Sequence, residues 1–159
     1  MPVGTGPIRA SRTELALAEG RHKLEAQVMT PEREVFSGEL IQLSTRTTLG
    51  EVGILARHVP MIARLVPTEL RLHLEEGETQ RYAQGEGWLE VFANRARVLV
   101  SEAIPPDALD ARELRERLAE AERELAEAEE GGAAQEAAER ETRRLQAFLE
   151  IAEKPTGPA

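Results

Sequence analysis

The chain changes its hydrophobic period once. From Leu24 to Val100, apolar residues alternate with polar ones or come in short β-branched runs; beyond Asp110 they recur every three or four positions among Glu, Arg and Ala. Leu24, Ala26 and Val28 alternate with Glu25 and Gln27, as a half-buried strand requires. Similar segments follow at Val35-Phe36, Leu40–Leu43, Val52–Leu55, Met61–Val66, Leu70–Leu74, Arg81–Gln84, Trp88–Phe92 and Arg97–Val100. Turn chemistry separates them: Pro31 sets the first corner of Thr30–Arg33, and Glu76-Gly77 marks a hairpin. About nine or ten short strands at this spacing predict an antiparallel sandwich or flattened barrel. Leu114, Leu118, Ala121 and Leu125 then line one helix, and Ala138, Thr142, Leu145, Leu149 and Ala152 a second, with Gly131-Gly132 between them. So short a link makes the two an antiparallel hairpin, each helix about 30 Å long. The fold class is α+β: an N-terminal antiparallel β-sandwich followed by a C-terminal α-helical hairpin.

The two halves meet at Ser101–Asp110. Pro105 and Pro106 cannot donate to a ladder, and Pro106 disfavours helical geometry at Pro105, so the junction reads as an extended, semi-rigid hinge. The chain divides into a Gly/Pro-rich extension at 1–20, a sandwich at 21–104, a hairpin at 105–153 and a tail at 154–159. Within the extension, Ser11-Arg-Thr-Glu14 has the form of a capping box opening a short helix that ends near Gly20. The hairpin stripes hold mostly Ala and single Leu residues, so the hairpin is expected to dock weakly and detach readily. Glu113/Arg117, Glu136/Arg140 and Glu139/Arg143 stand at i,i+4 and are expected to pair along each helix.

Charge and composition remove several functions. In 159 residues, 29 acidic against 20 basic side chains give a net charge of −9, which argues against a nucleic-acid partner. There is no cysteine, hence no disulfide or thiolate chemistry. No apolar run approaches the roughly 18 residues of a membrane span, so any membrane association goes through a partner rather than by direct insertion. His22, His58 and His73 fit no ligand spacing, and no metal or other cofactor is expected. Gly50, Gly53, Gly85 and Gly87 lack the Gly-Lys-Ser/Thr of a phosphate loop and read as turns and bulges. No nucleophile–base constellation can be argued from spacing, so the chain is expected to catalyse nothing. Trp88, the only tryptophan, is expected in the sandwich core beside Leu89 and Val91, an outward aromatic anchor being the alternative.

Several motifs carry a resemblance. They are Thr30-Pro31-Glu32, Val35-Phe36-Ser37-Gly38-Glu39, Gly50-Glu51-Val52-Gly53-Ile54-Leu55 with His58 and Pro60, Leu65-Val66-Pro67 with Leu70-Arg71, Gly87-Trp88-Leu89-Glu90-Val91 with Asn94, and Val98-Leu99-Val100. In this order, and followed by a helical hairpin, they resemble the epsilon subunit of F-type ATP synthases, the counterpart of the mitochondrial delta subunit. The likeness covers about residues 23–152.

The resemblance implies a ten-stranded sandwich that binds the gamma stalk subunit and the c-ring subunits. It implies a rotor subunit of a proton-translocating complex, peripheral to the cell membrane on the cytoplasmic side. It also implies a hairpin that either folds down on the sandwich or extends toward the alpha and beta subunits of the catalytic head, where it restrains ATP hydrolysis. Glu51 and His58 match loop positions that face the c-ring. Arg140, Arg143 and Arg144 share one helix face and are the expected inhibitory contact with acidic head residues.

There are departures from the pattern. Ala56-Arg57 replaces the usual Pro-Gly before the His, and Pro67-Thr68 replaces a second Pro-Gly. The family's nucleotide motif on the first helix survives only as Leu109 and Asp110: Glu113 stands where an arginine belongs and Arg112 comes one residue early, about 100° away around the helix, so no nucleotide site is expected. The residues alone also allow a different protein, a free-standing β-sandwich interaction module whose helices dimerise.

Overall fold

The computed structural model describes residues 22–154. The expected N-terminal extension with its capping box, and the tail beyond Lys154, lie outside the described residues. Ten strands run in order: β1 Leu24–Met29, β2 Glu34–Leu40, β3 Gln42–Thr47, β4 Gly50–Leu55, β5 Met61–Leu65, β6 Thr68–His73, β7 Thr79–Gln84, β8 Gly87–Phe92, β9 Arg95–Val100 and β10 Ala103–Ile104. Two helices follow, α1 Ala111–Glu127 and α2 Ala133–Glu153.

The strands form two layers. One is β10-β7-β6-β3-β4 and the other β5-β8-β9-β1-β2; the sheet is continuous from one to the other where the end of β3 meets β5, through the Thr47–Leu65 pair and the flanking backbone bonds from Thr48 to the Arg64 carbonyl and from Val66 to the Arg46 carbonyl. Between them lies an apolar core in which Leu24, Val28, Leu43, Ile54, Leu70, Leu72, Leu89 and Val98 are fully buried. Its buried polar groups are satisfied: Thr45 donates to Gln84 Oε1 at 2.8 Å, Gln84 donates to the Val66 carbonyl at 3.2 Å, and Thr47 donates to the Gly50 carbonyl at 3.1 Å. The sandwich is antiparallel except where β1 runs parallel to β9. Those two strands are far apart in sequence, so no tight hairpin dictates their direction.

Gly87 is required by close backbone approach rather than by a turn. A Cβ there would stand 1.9 Å from the Leu99 carbonyl oxygen of the paired strand β9. Gly87→Ala is therefore expected to cost about 2–3 kcal/mol of sandwich stability, read as a lower midpoint in urea unfolding; an unchanged midpoint would show that the two strands can spread at no cost.

The hinge is more structured than its sequence indicates. Ala103-Ile104 is a short strand on β7, and Pro106–Ala108 is a 3-10 turn; Pro105 (φ −57°, ψ 139°) keeps the extended geometry. Asp110 then caps α1, its carboxylate accepting from the backbone of Arg112 at 2.9 Å and Glu113 at 3.2 Å.

The hairpin lies on the outer face of β6, β7 and β10. A cross-strand row, Glu69–Ala83–Ile104, forms part of its floor. Ala83, Leu114, Ala121, Leu145, Phe148 and Ile151 make a second buried cluster, with Ile104 and Leu109 packed at its margin. The expected α2 stripe omitted Phe148 and Ile151, both buried, while Leu149 and Ala152 are only half-buried. Burying Leu145, Phe148 and Ile151 contributes roughly 5–9 kcal/mol gross, before the entropy of holding the hairpin in place. The apolar face is thus larger than the predicted stripe.

The charges also pair differently from expectation. Arg117 reaches across to Glu141 at 3.0 Å rather than along α1 to Glu113, and Arg115 reaches Glu153 at 2.6 Å. Arg143 donates to the Glu139 carbonyl, not to its carboxylate. Arginines that lie beside a second helix can span the hairpin seam, where the pair also fixes helix against helix.

Candidate interaction surfaces

The two outer faces of the sandwich differ. The hairpin covers one; the other, built by β5, β8 and β9, leaves Ile62, Trp88, Phe92 and Leu99 exposed, with no described element packed over it. Alternation along β8 turns Leu89 and Val91 inward and Trp88, Glu90 and Phe92 outward. The expectation of a core tryptophan is thereby corrected: Trp88 is 51% exposed. In register, Trp88 stands between Arg64 and Leu99, and Glu90 between Ile62 and Arg97. Ile62, Trp88, Phe92 and Leu99 form an exposed apolar strip in which the Arg64 guanidinium lies 6.0 Å from the Trp88 ring.

Glu51 lies within β4, one residue from its start, and His58 follows the strand; among the described residues β4 pairs with β3 alone. Glu51 is exposed and pairs with Arg46 across the strand at 3.0 Å. The His58 Nδ1 lies 2.7 Å from the Val59 carbonyl, close enough for the ring N–H to donate. About 13 Å of strand separates Glu51 from Leu55, so the two candidates do not converge on one cluster. Each has a bare apolar neighbour: Leu49 is 98% exposed and Val59 69%.

The loop bearing His58 is held by Asn94, a role its sequence position did not disclose. Asn94 accepts from the Arg57 backbone at 2.9 Å and donates to the Lys23 carbonyl at 2.8 Å. It sits with Ala93 in a two-residue β8–β9 turn in which both residues have positive φ, 48° and 60°. Arg57 also has positive φ, 63°, so the left-handed geometry persists without the usual glycine; Thr68 has no such φ. Arg57→Gly is expected to raise stability by about 1 kcal/mol, seen as a higher unfolding midpoint with the loop otherwise unchanged.

The three arginines of α2 border two neighbouring clefts between hairpin and sandwich: Arg140 and Arg144 one, Arg140 and Arg143 the other. They are not equivalent. Arg144 turns inward, its side chain 21% exposed, and forms a two-pronged pair with Glu102; Nη2 donates to Oε2 at 3.1 Å. Arg140 and Arg143 are exposed. On α1, Arg112 points to solvent and pairs with Glu116 at 3.4 Å, while Glu113 is exposed. His73, on β6, packs beside Ser44 and Thr79 at 3.5 and 3.1 Å; burial, then Arg71, lowers its pKa.

No helix among the described residues is long and apolar enough to cross a membrane. A family model for the beta-sandwich domain of the ATP synthase delta/epsilon chain matches residues 23–106. The chain is 34% identical over 99 residues to an ATP synthase epsilon chain of Dichelobacter nodosus, covering 62% of this chain and 69% of that one. It is 37% identical over 103 residues to the corresponding chain of Persephonella marina, covering 65% and 76%. In structure it is similar to a chain of the Euglena gracilis mitochondrial ATP synthase, solved by cryo-EM with OSCP, F1 and c-ring; the TM-score is 0.74 at 21% identity, over 96% of this chain and 88% of that one. A sandwich with these motifs in this order, carrying a hairpin and matched by the family model over its whole length, belongs to the delta/epsilon chain family of ATP synthases, whose members are non-catalytic subunits of that complex.

Proposed function

We propose that this chain couples the gamma stalk subunit to the c-ring of a proton-translocating F-type ATP synthase, peripheral to the membrane on its cytoplasmic side. The observation that carries this reading is the asymmetry of the sandwich: one sheet is covered by the chain's own hairpin, while the other exposes Ile62, Trp88, Phe92 and Leu99. The bare face is the stalk contact. The β4 strand, with Leu49 and Glu51 near one end and Leu55, His58 and Val59 at the other, is the ring contact. A small monomeric domain rarely leaves such aromatic and aliphatic groups in solvent without a partner. The self-dimerising module has less support, because the apolar cluster of the hairpin is spent against the chain's own Ala83 and Ile104.

The hairpin serves as a releasable arm that restrains hydrolysis by offering its arginines to acidic residues of the alpha and beta subunits. That attraction is moderate and salt-sensitive, because exposed pairs contribute about a kcal/mol at most and are screened over about 10 Å at 0.1 M salt. The test is a chain cut after Ile104. The cut retains β10, so the sandwich keeps its last strand. The shortened chain is expected to assemble with the stalk as the full chain does, and the complex is expected to hydrolyse ATP faster. Failure to assemble would move the binding function to the hairpin; unchanged hydrolysis would remove the inhibitory arm.

A further inference from the structure

We infer that Glu102 and Arg144 form a latch that holds the hairpin on the sandwich, and that Glu102 does so by occupying the arginine the arm would otherwise present to an acidic partner. The second half of this inference rests on the inhibitory reading above; the first half does not.

Among the described residues, Glu102–Arg144 is the one ion pair joining hairpin to sandwich. The remaining pairs stay within the sandwich, within one helix or between the two helices. It is a two-pronged guanidinium–carboxylate pair, with both side chains largely shielded, at 21% and 25% exposure. Such pairs are stronger and more directional than exposed single contacts. The guanidinium also lies over the Phe148 ring, 4.9 Å from its centroid, so charge and apolar plug act at one point.

The pair sits at the root of the moving part. Glu102 immediately precedes β10, and its carbonyl accepts from the Gly85 backbone at 2.9 Å, which keeps it with the sandwich when the hairpin leaves. On the other side, Arg144 donates to Glu141 at 3.1 Å, and Arg117 of α1 reaches the same carboxylate at 3.0 Å. The chain Glu102–Arg144–Glu141–Arg117 thus ties sandwich, α2 and α1 together. Hydrogen bonding to Glu102 raises the Arg144 pKa despite its burial, in keeping with a charge held by its partner. A carboxylate of another subunit can take Arg144 only after Glu102 has released it.

The chain has no cysteine, so Ala83→Cys places a single thiol under the hairpin, where Ala83 is fully buried. Its rate of modification by a thiol reagent reads how often the hairpin lifts. In that background, Glu102→Gln and Arg144→Gln are each expected to raise the rate about tenfold or more. The double variant is expected to be no faster than either single one, as a direct pair requires. Rates equal to the parent, or single effects that simply multiply, would overturn the latch. In the full complex, E102Q is expected to slow ATP hydrolysis below the parent and R144Q is not, although both free the hairpin. Labelling that responds while hydrolysis stays constant would keep the latch and overturn Glu102's role against a partner.

Discussion

Phe148→Ala is expected to detach the hairpin while leaving the sandwich folded. Phe148 is fully buried, but it belongs to the cluster under the hairpin, not to the core between the sheets. Truncating a buried phenylalanine costs about 3–5 kcal/mol. That is comparable with the net docking free energy left once the roughly 5–9 kcal/mol from three buried side chains is shared with the packing on α1 and reduced by the entropy of ordering. The variant also removes the ring under Arg144, which weakens the Glu102–Arg144 pair joining the two parts. The loss is expected to appear as two transitions in urea: the helical signal falls first, and the sheet follows near its original midpoint. Protease cleavage between Ile104 and Ala111 should accelerate by the same free energy, a hundredfold or more at about 1.4 kcal/mol per tenfold. A single cooperative transition with unchanged cleavage would mean that hairpin and sandwich are one folding unit.

What the sequence disclosed follows from the range of each signal. Period-two alternation reports burial over a whole strand, so Leu24, Ala26 and Val28 or Leu70 and Leu72 were legible. β10 was not, because two residues are too short for a period and the prolines after them outweigh them. Trp88 was misplaced because both faces of β8 are apolar; Glu90, sharing a face with Trp88 and Phe92, was the available sign that this face points outward. Phe148 and Ile151 lie beside the Ala138–Leu145 stripe and widen it to an arc that meets both α1 and a sheet. Only a tally of all apolar positions around α2, rather than of its best single line, shows that the helix has two neighbours. The Arg144–Glu102 pair spans 42 positions and depends on how the hairpin docks, which no local pattern encodes. Glu51 and His58 came from motif likeness alone; their separation along β4 appears only with the strand built.

Trp88→Ala is expected to weaken binding to the gamma stalk subunit about thirtyfold or more, by roughly 2 kcal/mol, the scale of an interface anchor. The outer face of β5, β8 and β9 sets this expectation. Trp88 is its largest side chain and stands on the middle strand of the three, with Arg64 on one side and Leu99 on the other. Ile62 and Phe92, 74% and 65% exposed, extend the apolar strip, and Arg64, Arg95 and Arg97 surround it with charge. An aromatic group so exposed contributes little to the isolated fold, so the same substitution should shift the unfolding midpoint by less than about 0.5 kcal/mol. Phe92→Ala should act in the same direction and more weakly, since Phe92 ends β8 and has a cross-strand partner on β9 alone. Arg97→Ala should chiefly slow association and reduce its salt dependence, as charges at a rim do. Phe148→Ala, on the opposite side of the sandwich, is the control and should leave stalk affinity unchanged. The measurement is titration of each variant against a gamma-type subunit at fixed ionic strength. Full affinity in the Trp88 variant would move the stalk contact off this sheet and leave its exposed apolar strip unexplained.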